Sequence, residues 1–185
     1  MMTRSFLLTL VLSLFIGAGT LFAQKYITRE AMISFYGETA VETIDPVSNQ
    51  GSSVIDLEKK ALAYQVQMKS FRFRKALMEE HFNENYVESE TYPKAVFRGQ
   101  FTENIDLNSN DEQTITVKGN MNMHGVDRDL ETTCTIVVNN DGSITLTSEF
   151  QLKPKEFDIH IPSAVRDKIA ETFDVKVKGT YKIVK

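Results

Sequence analysis

The sequence is poor in the residues that stabilise or mark a protein by special chemistry. Of its 185 residues, one is cysteine, three are histidine and none is tryptophan. A lone cysteine cannot form an intrachain disulfide, so the stability of the fold must come from ordinary packing. That cysteine, Cys134, stands in an apolar alternating stretch, where an inert buried thiol is much more common than a nucleophile.

The motifs of common catalytic and cofactor sites are also missing. The sequence has no Gly-x-Ser-x-Gly elbow, no His-Glu-x-x-His pair, no glycine-rich phosphate loop and no Cys-x-x-Cys pair. We therefore predict no enzymatic activity and no cofactor. His81, His124 and His160 fall in separate predicted elements. His81, Glu80 and Glu84 could together bind a metal ion, but positions on the solvated face of a helix explain these residues equally well. We therefore predict no metal site.

The charge of the chain is low and slightly negative. It has 21 basic and 25 acidic residues, which gives a formal net charge of −4. Such a balance offers no surface for nucleic acid and no attraction to anionic lipid headgroups, so we expect no nucleic-acid partner. A homodimer formed through an exposed edge strand is compatible with the sequence, although no residue pattern requires it.

Long apolar runs are confined to the N-terminus, which has the features of a secretion signal. Arg4 precedes the apolar residues 6–16, and Ala23 stands at a position suited to cleavage. A single membrane anchor is the alternative, but the uninterrupted run is shorter than the roughly 20 residues that a spanning helix needs. We predict a signal peptide over residues 1–23, one mature domain over residues 24–185, and a periplasmic or secreted location without stable membrane insertion.

Alternation of apolar and polar residues, the period of a strand with one buried face, dominates the rest of the chain. The stretches that show it span residues 25–38, 54–57, 61–73, 95–101, 114–123, 130–138, 144–152 and 175–183. One apolar and one charged face is typical of antiparallel sheet. Because two short helices cannot cover so many strands, the sheet must cover itself. We therefore predict an all-β fold with two short helices, built as an antiparallel barrel or a tight sandwich.

Two segments, residues 74–86 and residues 163–173, have the period of a helix instead. The repeating residues are Met78, Phe82 and Tyr86 in the first segment and Val165, Ile169 and Phe173 in the second. Pro93, which cannot donate a ladder hydrogen bond, marks the start of the strand after the first helix. A helix inserted between strands usually covers an open end of a sheet or barrel, and we expect a function there.

Three local features interrupt the strand pattern. Residues 37–53 are polar and rich in turn formers, which predicts a loop. The apolar positions change parity near Ser70, which predicts a β-bulge or a bend. Gly99, Gly119 and Gly179 stand on apolar faces, where they fit points of strong curvature.

The interior of the predicted barrel is rich in phenylalanine and methionine. A dry, fully packed core is one interpretation. The other is a cavity, because a barrel of about eight strands has room for one small ligand. Flexible methionine and phenylalanine side chains beside glycine also make an adaptable lining for an acyl or isoprenoid chain. The residue pattern leaves these two interpretations equally open.

Three segments resemble the YceI family of secreted or periplasmic proteins. Residues 70–99 resemble the family's His-x-x-x-x-Phe/Tyr helix and loop followed by Tyr-Pro-x-x-x-Phe. Residues 115–130 are similar to its Val-x-Gly-x-Leu-x-x-x-Gly-Val segment, and residues 150–183 to its ending with a short helix and a final strand. The resemblance implies a lipocalin-like antiparallel β-barrel that binds a polyisoprenoid or another long amphiphilic lipid.

On this resemblance we expect the lipid tail in the barrel interior and its headgroup at the rim, with the first helix as a lid. The predicted cavity residues, including those of the helix, are Val66, Met68, Phe71, Phe73, Leu77, Phe82, Phe97, Phe101, Val117, Met121, Phe150 and Phe173. The predicted rim residues are His81, Tyr86 and Tyr92. The alternative function is a packed barrel that acts as a protein-interaction or stress-related module without a lipid ligand.

Overall fold

The structure, a computed structural model, describes residues 24–184, so the predicted signal peptide lies outside the described residues. The strands are β1 (Lys25–Glu38), β2 (Thr43–Ile44), β3 (Val47–Asp56), β4 (Ala61–Gln67), β5 (Lys94–Gln100), β6 (Gln113–Met123), β7 (Val126–Val138), β8 (Ile144–Leu152) and β9 (Phe173–Val184). The α-helix α1 (Ala76–His81) continues into a π-helical turn over Phe82–Tyr86. Short 3₁₀ turns span Met68–Ser70, Pro154–Phe157 and Ser163–Lys168.

The sheet closes on itself as an antiparallel barrel. Strand β1 pairs with β3, each later strand pairs with the next, and β9 pairs back onto β1. The short β2 adds to the end of β1, where Gly37 lies opposite Ile44. Eight strands therefore form the barrel wall and the ninth is an addition at one rim. The predicted all-β barrel with short helices is confirmed, and the closure leaves β2 as the edge of the described sheet.

Alternating residues point into and out of this barrel, as the sequence pattern predicts. In β6, Ile115 and Val117 are buried while Lys118 is exposed. In β9, buried Tyr181 neighbours exposed Lys182. Burying apolar surface contributes about 25 cal/mol per Å² to stability. This pattern therefore specifies the strand register, because a shift by one residue would expose the whole apolar face.

The prediction of a loop over residues 37–53 is wrong in its second half, which belongs to β3. The inward positions of this strand carry small residues that look like turn formers in a sequence. Ser48 is buried, and its hydroxyl forms a 2.7 Å hydrogen bond with the Ser70 hydroxyl that offsets the cost of that burial. At Gly51, a Cβ atom would lie 2.0 Å from the Tyr64 hydroxyl oxygen, so glycine there leaves room for the tyrosine ring.

The parity change near Ser70 is real, but its cause is a 3₁₀ turn and not a bulge. Strand β4 ends at Gln67, and the turn over Met68–Ser70 follows at once. One helical turn brings Met68 and Phe71 to the same buried side, which alternation along a strand could not do. The Met68 amide donates a 2.9 Å hydrogen bond to the Pro93 carbonyl and ties the turn to the start of β5.

The first predicted helix is confirmed, whereas the second is shorter than predicted. Its 3₁₀ turn ends at Lys168, the backbone is extended at Ile169, and Phe173 already begins β9. Val165, Ile169 and Phe173 nevertheless border one cavity. The four-residue spacing of apolar residues therefore reflects a shared environment and not a continuous helix.

Close backbone approach explains two of the glycines on apolar faces. Gly99 of β5 lies directly opposite Gly119 of β6. A Cβ atom on Gly119 would lie 2.2 Å from the Arg98 carbonyl oxygen and 2.4 Å from the Gly99 Cα atom. The two strands can therefore pack at this distance only because no side chain intervenes. Within residues 24–184, no helix is long and apolar enough to cross a membrane.

Candidate ligand-binding cavity

A cavity of about 260 Å³ lies inside one end of the barrel, beneath residues 74–86, which we call the helical cap. Its walls come from the inward faces of β1, β4, β5, β6, β8 and β9. Residues 154–169, between β8 and β9, cover a further side. The helical cap contributes Met78, His81, Phe82 and Tyr86, so it forms the roof of the cavity. The predicted position of the helix over an open barrel end is confirmed.

Five phenylalanine rings pack where the helical cap meets the barrel. The ring of Phe35 lies 5.3 Å from Phe71, 5.6 Å from Phe82 and 5.5 Å from Phe173, measured between centroids. Phe82, in the cap, lies 5.0 Å from Phe73. Several of these pairs meet edge to face, a geometry worth about 0.5–1.5 kcal/mol beyond the buried area. The cluster fixes the cap on the barrel and forms part of the cavity wall.

Polar contacts orient the base of the helical cap. The Glu79 carboxylate accepts a 2.9 Å hydrogen bond from the Arg72 guanidinium and a 3.2 Å bond from the Phe73 amide. Lys75 donates to Glu42, at 2.7 Å, in the segment that leads into β2. The Lys75 ammonium group lowers the pKa of the Glu42 carboxyl. The basic partners Arg72 and Lys75 are exposed, so each ion pair contributes little to stability.

The cavity is apolar in its depth and polar at its opening. Glu42, His81 and Lys168 are the acidic or basic side chains among the described residues that line it. His81 and Lys168 are exposed to solvent, which places these groups at the opening. Tyr86 also borders the cavity, and burial raises the pKa of its hydroxyl. An apolar chain with one polar end would match this distribution of groups.

Most of the residues that the sequence assigns to the cavity lie around it. The predicted cavity residues that line it are Val66, Met68, Phe71, Phe73, Phe82, Met121, Phe150 and Phe173. Of the predicted rim residues, His81 and Tyr86 line it. Their common position follows from the barrel closure, which brings residues of distant sequence position to one end.

Four other predicted cavity residues lie elsewhere. Leu77 is on the outer side of the helical cap and is 60% exposed. Phe97 borders a smaller cavity described below, and Val117 is fully buried in the core without bordering the larger cavity. Phe101 is near the opposite end, where its amide donates a 2.9 Å hydrogen bond to the Lys60 carbonyl. Alternation identifies the inward face of a strand but gives no depth along the barrel, and this explains the difference.

Tyr92, the third predicted rim residue, packs against a turn and does not line the cavity. Its ring centroid lies 4.4 Å from that of His124. His124 has a φ of +54° and Gly125 a φ of +75°, the conformation of a tight turn between β6 and β7. The His124 ring also lies 2.9 Å, at Nδ1, from the Phe157 carbonyl oxygen and 3.3 Å, at Nε2, from a Glu88 carboxylate oxygen.

The sequence interpretation missed several residues that border the cavity. They are Ile33, Phe35, Glu42, Ile44, Met78, Val87, Ala95, Met123, Leu152, Pro154, Ile159, Ile161, Val165, Lys168, Ile169 and Val175. Phe35 and Leu152 lie on the inward faces of strands that were predicted over residues 25–38 and 144–152, so assigning every inward position near that barrel end to the cavity would have found them. Ile159 and Ile161 lie in irregular backbone between β8 and β9, where neither period applies.

A second, smaller cavity of about 60 Å³ lies deeper in the barrel. Tyr64 and Thr132 line it, and the Thr132 hydroxyl forms a 2.7 Å hydrogen bond with Ser148. The buried Tyr64 hydroxyl has no hydrogen-bond partner among residues 24–184, and burial raises its pKa. Cys134 also borders this cavity, and burial raises the pKa of its thiol, which fits an inert buried cysteine. Within residues 24–184, no three His, Cys, Asp or Glu side chains are grouped to hold a metal ion.

Comparison with known proteins gives matches at the level of family and fold. A family model described as the YceI-like domain matches residues 28–181. A polyisoprenoid binding domain from Saccharophagus degradans, implicated in plant cell wall breakdown, superposes with a TM-score of 0.73 at 13% identity, covering 88% of this chain and 99% of that one.

Two further solved structures share the fold. BcnA of Burkholderia cenocepacia superposes with a TM-score of 0.68 at 13% identity, covering 82% of this chain and 96% of that one. The YceI protein of Campylobacter jejuni superposes with a TM-score of 0.55 at 18% identity, covering 75% of this chain and 83% of that one. A search of the curated proteins finds no match.

Proposed function

This chain belongs to the YceI-like domain family, and from that premise we propose that it is a carrier that holds one long-chain amphiphilic lipid inside its barrel. The lipid is of the polyisoprenoid or fatty-acyl type. Its tail lies in the cavity beneath the helical cap, and its headgroup lies at the opening near His81 and Lys168. Binding holds and transfers the lipid without a chemical step.

The observation that carries this proposal is the combination of an apolar interior with a polar opening. The deep wall is formed by side chains such as Val66, Met121 and Phe150, which offer an alkyl or isoprenyl chain contacts without hydrogen bonds. Each buried methylene contributes about 0.8 kcal/mol, so about ten methylenes in a cavity that is already formed supply the roughly 8 kcal/mol of micromolar binding. Met121 adapts its shape to a branched or a straight chain.

The relatives support the ligand class by analogy. The Saccharophagus degradans domain is described as binding a polyisoprenoid, and the structural match with this chain covers nearly the whole of that domain. An extracytoplasmic location is part of the proposal and rests on the leader-like residues 1–23. There, a protein that shields an apolar chain would let a lipid cross an aqueous compartment.

Filling the cavity tests the proposal. Ala95 lines the cavity on β5, and its replacement by phenylalanine puts a ring into the space for the tail. Ala63→Phe is the matched control, because Ala63 is exposed on the outside of the neighbouring strand β4. With cis-parinaric acid as the fluorescent probe, we expect micromolar binding to the native chain, at least tenfold weaker binding to Ala95→Phe, and unchanged binding to Ala63→Phe.

Two results would overturn the proposal. One is an Ala95→Phe variant that keeps the native circular dichroism spectrum and binds the probe as tightly as the native chain. The other is a native chain that binds neither cis-parinaric acid nor farnesol, which would favour a barrel that docks a partner protein. If Ala95→Phe does not fold, Ala95→Leu adds less volume and serves the same comparison.

A further inference from the structure

The two cavities of the barrel are separated by a single layer of side chains. Five residues border both spaces, and we call them the neck: Ile33, Val66, Ala95, Met121 and Phe150. They come from five different strands, β1, β4, β5, β6 and β8, and all point inward. The neck is therefore a ring around the barrel axis, with the larger cavity above it and the smaller one below.

Met121 and Phe150 are the bulkiest members of this ring. The other three are aliphatic side chains of smaller reach, and Ala95 has only a methyl group. Met121 is 7% exposed and sits opposite Phe97 in the β5–β6 ladder. Phe150 is only partly buried and lies opposite Val175. The width of the passage between the cavities thus depends mainly on these two side chains.

The lower cavity has the size and lining of an extension for an apolar chain. Its volume of about 60 Å³ has room for about two to four water-sized groups. Leu130, Leu146 and Val177 contribute much of its surface. The Tyr64 hydroxyl is the polar group there without a partner among the described residues, whereas Thr132 and Ser148 bind each other. A chain end that entered this space would meet mainly carbon.

We propose that Met121 and Phe150 set the length of the chain that the protein selects, by closing the upper cavity above an unused lower subsite. This inference rests on the proposed function, since it specifies which lipids the carrier prefers. A tail that reaches the neck gains nothing from further carbons. Widening the neck opens the lower subsite to the last few carbons of a longer tail.

A homologous series of saturated primary alcohols, measured by displacement of cis-parinaric acid, tests this. In the native protein, affinity for the alcohol rises up to about fourfold per added methylene until the alcohol tail reaches the neck, and is constant for longer tails. We call the tail length at which the rise stops the break. In Phe150→Ala, the break moves to tails about two to four carbons longer, so the longest alcohols bind up to about 15-fold to 250-fold tighter than they bind the native protein.

Two control variants separate the neck from general effects on the cavity. Leu152 follows Phe150 on the same face of β8 but lines the upper cavity alone. Leu152→Ala should weaken all alcohols without moving the break. Leu130 lines the lower cavity alone, so adding Leu130→Phe to Phe150→Ala should return the break to its native position. If Phe150→Ala does not fold, Phe150→Leu takes its place, because leucine is smaller than phenylalanine and also widens the neck.

The outcomes distinguish this inference from the proposed function. If the alcohols bind the native protein and the break falls at the same tail length in Phe150→Ala, the role of the neck is overturned and the carrier function stays intact. A break that moves equally in Leu152→Ala would also overturn it. If no alcohol and no cis-parinaric acid binds the native chain, the carrier function fails, and the length selection fails with it.

Discussion

Phe82 connects the helical cap to the rest of the cavity wall, and its removal gives a prediction that the structure quantifies. Its ring lies 5.0 Å from Phe73, 5.6 Å from Phe35 and 5.8 Å from Phe71, between centroids. Phe82→Ala removes all three contacts. The matched control is Leu77→Ala on the same cap, because Leu77 is 60% exposed and does not line the cavity.

The expected loss for Phe82→Ala follows from burial and ring contacts. Full burial of a phenylalanine side chain contributes up to about 3 kcal/mol, and Phe82 is half-buried, which gives about 1.5 kcal/mol. The three aromatic contacts add about 0.5 kcal/mol each, the lower end of the usual range. The free energy of unfolding should therefore fall by about 3 kcal/mol in Phe82→Ala and by less than about 0.5 kcal/mol in Leu77→Ala.

Urea unfolding followed by circular dichroism measures both variants. With a dependence of about 2 kcal/mol per molar urea, the midpoint should drop by about 1.5 M in Phe82→Ala and by less than about 0.3 M in Leu77→Ala. Because the ring roofs the cavity, cis-parinaric acid should also dissociate several-fold faster from Phe82→Ala. Equal midpoint losses in the two variants would refute the placement of the cap.

Three further predictions concern the barrel. Tyr64→Phe should keep or raise the free energy of unfolding, because the buried Tyr64 hydroxyl lacks a partner among residues 24–184. Tyr181→Phe should lower it by about 1 kcal/mol, because the Tyr181 hydroxyl donates a 2.9 Å hydrogen bond to Ser53; equal urea midpoints would contradict this pair. Burial raises the pKa of Tyr181 to about 12. As the pH rises, the unfolded chain therefore loses that proton before the folded chain does. The contribution of the Tyr181 hydroxyl to the free energy of unfolding is complete below about pH 10 and declines by about 1.4 kcal/mol per pH unit up to about pH 12. Urea midpoints across this range should fall less steeply in Tyr181→Phe, and parallel declines would refute the assignment. Gly119→Ala should lower the melting temperature more than Gly179→Ala, because the nearest atom to the new methyl is a backbone oxygen at 2.2 Å in the first and a side-chain carbon at 3.1 Å in the second. Calorimetry that finds the reverse order would contradict the close approach of β5 and β6.

Local periodicity predicted the strands well because each barrel strand has one face on the core. Strand β1 has the bounds that alternation predicts, residues 25–38. The method failed where small polar residues point inward, as at Ser48 in β3, since a buried serine is stabilised by a partner distant in sequence. It also failed after Lys168, where three apolar residues share the cavity without sharing a helix.

The candidate site was predictable in its composition but not in its depth. Phe150 was predicted on the apolar face of a strand and Phe173 on the apolar face of a helix, and both line the cavity. Val117 shares the face of Met121 in β6 but lies deeper, and the depth depends on the stagger of strands around the barrel. That stagger is a property of the closed sheet. No single segment encodes it.

Native mass spectrometry of the exported protein, purified without detergent and followed by organic extraction, tests the central claim most directly. The carrier function predicts an adduct at one ligand per chain, released into the organic phase as a long-chain lipid. The Ala95→Phe variant, prepared in the same way, should carry less of it. A bare protein mass that stays unchanged after incubation with farnesol and with a long-chain fatty acid would contradict the carrier function.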